Sequence, residues 1–266
     1  MIPVGKRSEK IQMYPQMFSR TIVAGIDVDK LLDKTALVCG AGGLGAIVAE
    51  ILARTGIGHL IIIDKDTVGR ENFNRLGFNA EDVGKPKASA LAERIQKLRN
   101  SESMEDRFKL KIESYHENII AFEYLEDLIT RSNIIFTCFD NIDARLEVNH
   151  CAVKHKVPIF DGGTSVDGLR GTVTTVIPGV TPCIRCYSDP SIIISLEEER
   201  PPGECSASLA TTMCVVASLQ ANQALRYLLK CGELIPRLRV SLGEEVLLTR
   251  ENTLRRMDCR DCGGIK

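Results

Sequence analysis

A glycine-rich turn between two apolar runs contains the first residues whose types and spacing indicate chemistry. Residues 35–64 read as a strand, a turn, a helix and a second strand that ends at Asp64. The turn follows the G-x-G-x-x-G pattern with one extra glycine, and its glycines are Gly40, Gly42, Gly43 and Gly45. Glycines let the backbone lie against a phosphate, and the helix that follows offers unpaired N–H groups and a positive dipole end. Because Asp64 lies about 20 residues after the turn, where an acid accepts hydrogen bonds from ribose hydroxyls, the segment predicts nucleotide binding.

A lysine at a predicted helix start is a candidate anion ligand. Pro86 suits the first turn of a helix, so Lys87 falls at the N-terminal end of the helix that continues through Leu98. The helix dipole disfavours a cation at that end, so the position makes sense if a bound anion shares the site. A solvated surface lysine fits the same spacing, and the position alone leaves both interpretations open.

Two polar segments follow predicted strands and therefore lie where open α/β sheets bind their ligands. Residues 69–75 come after the strand that ends at Asp64, and Asp140 comes after the buried run 132–138. Asp140 should therefore face the same crevice as the glycine turn. It could also cap the helix predicted over 142–155, or serve both roles.

Four of the ten cysteines form two C-x-x-C pairs, Cys183 with Cys186 and Cys259 with Cys262. In a reducing compartment this pattern favours a metal over disulfides. Four thiolates match a tetrahedral zinc site with no open coordination position, so the predicted zinc is structural. Free thiols or an adventitious disulfide are the alternatives. The long gap between the pairs requires the fold to bring the C-terminal tail back to the first pair.

Cys205 stands apart from these pairs. It follows the polar segment 188–204, which we predict to be a mobile loop, and it directly precedes the helix predicted over 206–230. A thiol near a helix N-terminus can have a lowered pKa and a larger thiolate fraction. Cys205 is therefore a candidate nucleophile.

The composition excludes several classes of function. The chain has 266 residues, is 44% hydrophobic and carries a net charge of -1, which gives no electrostatic case for nucleic acid or a membrane surface. No apolar run reaches the ~18 residues of a membrane span. The first residues are charged and lack the apolar core of a signal peptide, so a cytoplasmic location is expected.

The elements that must position these residues predict a Rossmann-like, doubly wound α/β sheet. Residues 1–34 are expected to form a helical lead-in, and residues 35–266 one nucleotide-binding domain that includes the loop 188–204 and the returning tail. A helix is also expected over 118–130. From residue 157 the chain becomes β-branched and glycine-punctuated, which predicts an antiparallel extension of the mostly parallel sheet.

Together these motifs resemble the ubiquitin-like-protein activating enzymes, the ThiF/MoeB/HesA-type adenylyltransferases. The resemblance runs from about residue 20 to residue 262. The motifs that carry it are GAGGLG at 40–45, DKD at 64–66, NFNR at 72–75, GKPK ending at Lys87, CFDN at 138–141, CIRC at 183–186, CRDC at 259–262 and GECSASLATTM at 203–213. The last motif is most similar to the single-domain enzyme that activates the ubiquitin-fold modifier, in which the matching cysteine carries a thioester.

The resemblance implies ATP-dependent adenylation of the C-terminal glycine of a ubiquitin-like protein, followed by transfer of the acyl group to Cys205. It implies that Arg75 and Lys87 bind the triphosphate, that Asp64 holds the ribose, and that Asp140 orients Mg²⁺ and the reacting phosphate. The other implied nucleotide-site residues are Gly40, Gly42, Gly43, Asn72, Asn74, Asn118, Asn141 and Arg20, the last as an arginine contributed by a partner subunit. A homodimer is expected, with a conjugating enzyme as a possible further partner.

Three other interpretations remain open at this point. An adenylyltransferase for a sulfur-carrier protein shares the adenylation step, but in it Cys205 is dispensable or handles sulfur. A nicotinamide-dependent dehydrogenase explains residues 40–64 but leaves Arg75, Lys87 and the cysteine pairs without a role. An inactive scaffold that binds ubiquitin-like proteins is disfavoured by the intact Arg75, Lys87 and Asp140.

Overall fold

An eight-stranded mixed sheet forms the centre of the computed structural model, which describes residues 1–100, 104–188 and 209–264. Its strands are β1 (Thr35–Cys39), β2 (His59–Ile63), β3 (Lys111–Tyr115), β4 (Ile134–Thr137), β5 (Ile159–Thr164), β6 (Arg170–Val176), β7 (Arg237–Leu242) and β8 (Val246–Glu251). They are arranged in the order β3-β2-β1-β4-β5-β6-β7-β8. The first five strands run parallel, and β6, β7 and β8 each pair antiparallel with the preceding strand. The predicted parallel sheet with an antiparallel extension is confirmed.

Helices cover both faces of this sheet. In the described ranges they are α1 (Arg7–Gln12), α2 (Ser19–Val23), α3 (Asp29–Leu32), α4 (Gly43–Thr55), α5 (Lys87–Arg99), α6 (Leu125–Thr130), α7 (Ile142–Lys154), α8 (Ile184–Tyr187) and α9 (Ala210–Leu229). Residues of α4, α5 and α9 share one core cluster, and residues of α6, α7 and α8 share the other. Strand β1 contributes side chains to both clusters. Ala36 and Val38 belong to the first cluster, and Leu37 and Cys39 belong to the second.

The N-terminal helices pack at the end of α4 that is distant from the glycine turn. Phe18, Ile22 and Val28 form a third cluster with Phe108. A Cβ built on Gly56, the residue that ends α4 with φ +122°, would lie 2.8 Å from Val28 Cγ1. The lead-in therefore closes the C-terminal end of α4.

The helix predicted over residues 118–130 is wrong in its first half. A 3₁₀ turn occupies Ile119–Ala121, the chain is extended at Phe122, and α6 starts only at Leu125. Asn118 caps the short turn by accepting from the Ile120 N–H at 3.2 Å. The Phe122 ring packs 5.6 Å from that of Tyr115 on β3, and this tertiary contact outweighs the local helical periodicity.

A buried arginine ties α5 to the end of α4. Arg99 has no exposed surface, and its guanidinium donates to the Phe108 carbonyl at 3.0 Å and to the carbonyls of Ala53 and Ile57 at the end of α4. It also stacks over the Phe18 ring at 4.6 Å. Burial lowers the pKa of Arg99 to about 10. The side chain thus satisfies carbonyls that the helix itself leaves without donors.

We expect Arg99→Ala to lower the free energy of unfolding by about 2–4 kcal/mol, because it removes a buried packing group and leaves carbonyls unpaired. Urea denaturation measures the change. Arg94→Ala on the same helix is the control, since Arg94 is half-exposed and lies 3.4 Å from Glu50 in a surface pair worth below about 1 kcal/mol. Equal losses in the two variants would contradict this role of Arg99.

Candidate nucleotide site and cysteine cluster

The glycine turn leaves open space where a ligand would approach the backbone. It joins β1 to α4, whose N-terminus no side chain caps. Gly40 adopts φ +96°, and a side chain there would meet the Cys138 carbonyl oxygen at 2.9 Å. A side chain at Gly42, by contrast, would meet no atom of the described residues within 4 Å. Uncapped N–H groups facing an open surface are the arrangement that binds phosphate.

Asp64 is held beside this turn by two backbone donors. Its carboxylate oxygens accept from the Ala41 N–H at 2.6 Å and the Asp66 N–H at 2.8 Å. Burial raises the pKa of Asp64 above its usual value, although both donors favour the charged form. Each carboxylate oxygen has a further lone pair, so Asp64 retains the capacity to accept from a ligand hydroxyl.

Lys87 lies at the start of α5, as its sequence position predicts. Pro86 is the N-cap rather than a residue of the first turn, and Lys87 begins the helix. The Lys87 ammonium lies 3.0 Å from an Asp66 carboxylate oxygen, and its side chain is only 12% exposed. Burial disfavours the charged Asp66, but the hydrogen bond from Lys87 and the attraction of the Lys87 and Lys65 charges together outweigh it and lower the pKa of Asp66. The helix start therefore carries a cation already oriented by an acid two residues beyond Asp64.

Arg75 also lies against the glycine turn. A Cβ built on Gly43 would be 3.3 Å from Arg75 Cδ and 2.0 Å from the sulfur of Met213 on α9. The Arg75 Nε donates to Asn74 Oδ1 at 3.1 Å, which directs the half-buried guanidinium. Only glycine at position 43 allows both side chains to approach the backbone so closely. Arg75 and the glycine turn are thus brought together as the sequence motifs imply.

Asn72 supports the segment that carries Arg75. It is 4% exposed, and its Oδ1 accepts from the Gly69 N–H at 2.9 Å. This bond closes the 3₁₀ turn Arg70–Asn74, so Asn72 acts on the backbone rather than on the open surface. Its position fits the supporting role that the motif implies.

Asp140 lies exposed after β4, next to the glycine turn. The Cys138 carbonyl contacts Gly40, which places the following residues at that edge of the sheet. The suggestion that Asp140 caps α7 is wrong, because Asn141 is the N-cap and accepts from the Asp143 N–H at 2.7 Å. The Asp140 carboxylate is therefore not needed for the helix. Asn118 and Asn141, both expected to line the nucleotide site, have their Oδ1 atoms engaged in capping.

The four cysteines of the two C-x-x-C pairs meet in one buried cluster. Their sulfur atoms all lie within 4.8 Å of one another. Cys183 Sγ lies 3.6 Å from Cys259 Sγ, and Cys186 Sγ lies 3.4 Å from Cys262 Sγ, distances too long for disulfides. The tail has returned to the first pair as predicted, and four converging thiols are the ligand set of a structural zinc site.

A buried acid fixes the tail at this cluster. The Asp261 side chain has no exposed surface and accepts from Arg185 Nε at 2.7 Å and from Asn149 Nδ2 at 2.7 Å. Burial opposes its ionisation, but the hydrogen bonds from Arg185, His150 and Asn149 and the Arg185 charge together outweigh it and lower the pKa of Asp261. Asn149 Oδ1 accepts from the Ile184 N–H at 2.9 Å, so one network joins α7, α8 and the tail.

Comparison with known proteins decides the family. The ThiF family pattern matches residues 16–260. This chain belongs to the ThiF family. Among curated relatives it is similar to ubiquitin-like modifier-activating enzyme 5 of Oryza sativa subsp. japonica, with 35% identity over 225 residues that make up 79% of this chain and 51% of that protein. The protein of the same name from Dictyostelium discoideum is 32% identical over 219 residues, 77% of this chain and 55% of that one.

A solved structure has the same fold. E. coli MccB with ATP superimposes with a TM-score of 0.77 at 23% identity, over 98% of this chain and 76% of that one. This ThiF-family chain spans about half the length of the curated relatives it matches. None of the helices in the described ranges has the length and apolar character needed to cross a bilayer.

The sequence analysis did not identify one buried carboxylate behind the nucleotide crevice of this ThiF-family chain. Asp161 on β5 is 5% exposed and pairs with Arg145 of α7, and it also accepts from Thr137 Oγ1 at 2.7 Å. The only sequence signal was a charged residue inside an otherwise apolar strand pattern.

One predicted residue lies away from the crevice of its own chain, and another lies outside the described residues. Arg20 lies on α2 between Phe18 and Ile22, whose cluster closes the C-terminal end of α4. Since α4 has 13 residues and rises about 1.5 Å per residue, Arg20 lies about a helix length from the glycine turn of its own chain. Cys205 lies outside the described residues, as does most of the predicted mobile loop 188–204.

Proposed function

We propose that the protein uses ATP to adenylate the C-terminal glycine of a ubiquitin-like protein and then carries the acyl group on Cys205 as a thioester. The observation that supports this most directly is a continuous set of contacts around the glycine turn. It runs through Lys87, Asp66, Asp64 and Ala41. Arg75 lies against the same turn at Gly43. Two cations beside a phosphate-binding turn suit a triphosphate.

The comparisons favour the same reaction. The curated relatives are named for the activation of ubiquitin-like modifiers, and a protein of the same fold has been crystallised with ATP. A sulfur-carrier protein that ends in glycine would enter the first step identically. The relatives' names favour the modifier-activating version, in which Cys205 has a role.

The first step needs alignment more than acid–base chemistry. The terminal carboxylate is already a nucleophile at neutral pH, and its oxygen attacks the α-phosphorus of ATP as the bond to pyrophosphate breaks. Arg75 and Lys87 would stabilise the charge on the phosphates, the amides of the glycine turn would hold them, and Asp64 would accept from the ribose. The products are the acyl-adenylate and pyrophosphate.

Asp140 is the residue that fits a role toward the metal of the nucleotide. It is an exposed carboxylate at the edge where the phosphates would lie, and no helix cap occupies it. Mg²⁺ bound there with ATP would neutralise phosphate charge. We assign Asp140 to that site.

The second step transfers the acyl group to sulfur. The Cys205 thiolate attacks the acyl carbon, the C–S bond forms, and AMP leaves with the electron pair of the broken C–O bond. The helix that follows in sequence, α9, packs Met213 on Gly43, and Met213 comes eight residues after Cys205 in the chain. The thioester product would then pass to a conjugating enzyme.

Isotope exchange between pyrophosphate and ATP tests the adenylation step. We expect exchange that requires both the protein and a ubiquitin-like protein ending in glycine, and mass spectrometry should detect the acyl-adenylate. A partner lacking its terminal glycine should give none. The proposal would be ruled out if pyrophosphate exchange occurred equally without the partner. It would also be ruled out if the protein bound a nicotinamide dinucleotide tightly in place of ATP.

We also propose that zinc occupies the four-cysteine cluster as a structural ion. Metal analysis of purified protein should give about one zinc per chain, and Cys262→Ser should lose it and destabilise the fold by about 4 kcal/mol or more, because a closed Cys₄ site contributes directly to folding. Cys231→Ser removes a thiol outside the cluster and should keep both metal and stability. Metal-free protein of unchanged stability would argue against the ion.

We further propose a cytoplasmic homodimer in which Arg20 of one chain completes the site of the other, with residues 1–34 as a lead-in separate from the adenylation domain. The distance of Arg20 from its own glycine turn means that it could contribute only to the site of another chain. Mixing Arg20→Ala with Lys87→Ala chains should restore part of the exchange activity that each variant lacks alone, since a mixed dimer has one intact site. A monomeric active species in sizing would refute the arrangement.

A further inference from the structure

The position of the exposed Asp140 is set by contacts of the neighbouring backbone rather than by packing of its own side chain. Its side chain is open to solvent, and Asn141 anchors the chain on one side by capping α7. On the other side the Phe139 carbonyl accepts a hydrogen bond from Arg145 Nη2. The peptide that leads into Asp140 is therefore held by a side chain one turn into α7.

The same guanidinium ties three elements together. Arg145 Nη1 pairs with the Asp161 carboxylate, and Nη2 also donates to the Gly162 carbonyl at 2.9 Å. A Cβ at Gly163 would lie 3.2 Å from Nη2, so a small residue there leaves room for the group. Arg145 thus connects α7, β5 and the segment that follows β4 at Phe139 through one rigid fork.

A contribution to folding stability does not by itself explain this buried ion pair. The side chains of Arg145 and Asp161 are 12% and 8% exposed, and a buried ion pair often contributes little over apolar residues of the same volume. Its fixed geometry does constrain the Phe139–Asp140 peptide against the glycine turn. We infer that Arg145, with Asp161, is a positioning residue that fixes Asp140 for its role at the nucleotide, an inference that rests on the proposed function.

Hydrogen exchange and magnesium dependence test the inference together. Arg145→Lys keeps a positive charge beside Asp161, so the variant should fold. A lysine, however, cannot bond to two carbonyls and a carboxylate at once, so the contact with Phe139 should be lost. Amide exchange in peptides covering residues 138–141 of the ligand-free protein should become at least about tenfold faster. The Mg²⁺ concentration for half-maximal pyrophosphate exchange should rise by a similar factor, and the maximal rate should fall by up to about 100-fold.

Gln220→Leu is the structural control. Gln220 has no exposed surface and donates to the Thr137 and Phe160 carbonyls and to Cys138 Sγ, so its hydrogen bonds join the same two strands and stop one residue before Phe139. It should lower the melting temperature yet leave the Mg²⁺ requirement within about twofold. The inference is overturned if Arg145→Lys changes neither readout, or if Gln220→Leu shifts the Mg²⁺ requirement equally. If even the wild-type protein exchanges no pyrophosphate, the proposed function fails, while the amide exchange still decides the positioning role.

Discussion

Replacing Lys87 by alanine is expected to lower the rate of partner-dependent pyrophosphate exchange by about 10³-fold. The Lys87 ammonium is mostly buried, lies 3.0 Å from Asp66 and sits at the start of α5, where the helix dipole and a bound anion act together. Removing one preorganised group that stabilises transition-state charge costs about 10²–10³ in rate, and the lost ammonium carries a full charge. Initial rates at saturating ATP and partner measure the effect.

Lys85 provides the matched control for this experiment. It lies two residues earlier and is about 41% exposed, with Asp82 and Glu93 each 3.4 Å away. Lys85→Ala should leave exchange within about twofold, because exposed pairs contribute below about 1 kcal/mol. Lys87→Ala should also unfold near the wild-type temperature, since its partner Asp66 is half-exposed. Equal losses of activity in the two variants would remove Lys87 from the site.

The parallel half of the fold was predictable because its sequence patterns are local. Apolar runs bounded by glycine mark β1 and β2, and both are confirmed with Asp64 directly after β2. The return of the tail to the first cysteine pair was also predictable, since four thiolates around one ion restrict the fold more than any helical periodicity. In these places local propensity and the tertiary structure agree.

The failures arise where a distant contact decides between two local options. Phe122 packs on Tyr115 in an extended conformation, and the helix predicted over 118–130 begins only at Leu125. Asn141 rather than Asp140 caps α7, although both residues are good caps and adjacent in sequence. The pairing of Arg145 with Asp161 depends on the order of β4 and β5 in the sheet, which no single segment encodes.

The largest qualitative effect is expected at Cys205. Cys205→Ala should abolish the thioester that forms between the protein and its ubiquitin-like partner, while pyrophosphate exchange continues within about threefold of wild type. The reason is chemical, because adenylation uses the partner's own carboxylate and needs no thiol, whereas the second step needs a thiolate, which we assign to Cys205. Non-reducing gels of the ATP-treated mixture detect the adduct, which should disappear with added thiol or with Cys205→Ala.

Cys214 tests whether any nearby thiol suffices. It is a half-buried cysteine in the first turns of α9, adjacent to the Met213 that packs on Gly43. Cys214→Ala should leave both the adduct and the exchange intact, because the proposed nucleophile is Cys205 and adenylation needs no thiol. If Cys205→Ala still forms a thiol-sensitive adduct and Cys214→Ala does not, the nucleophile is Cys214. If the wild-type protein and both variants accumulate only the acyl-adenylate and no thioester, the protein belongs with the sulfur-carrier adenylyltransferases, in which the adenylate itself is passed on.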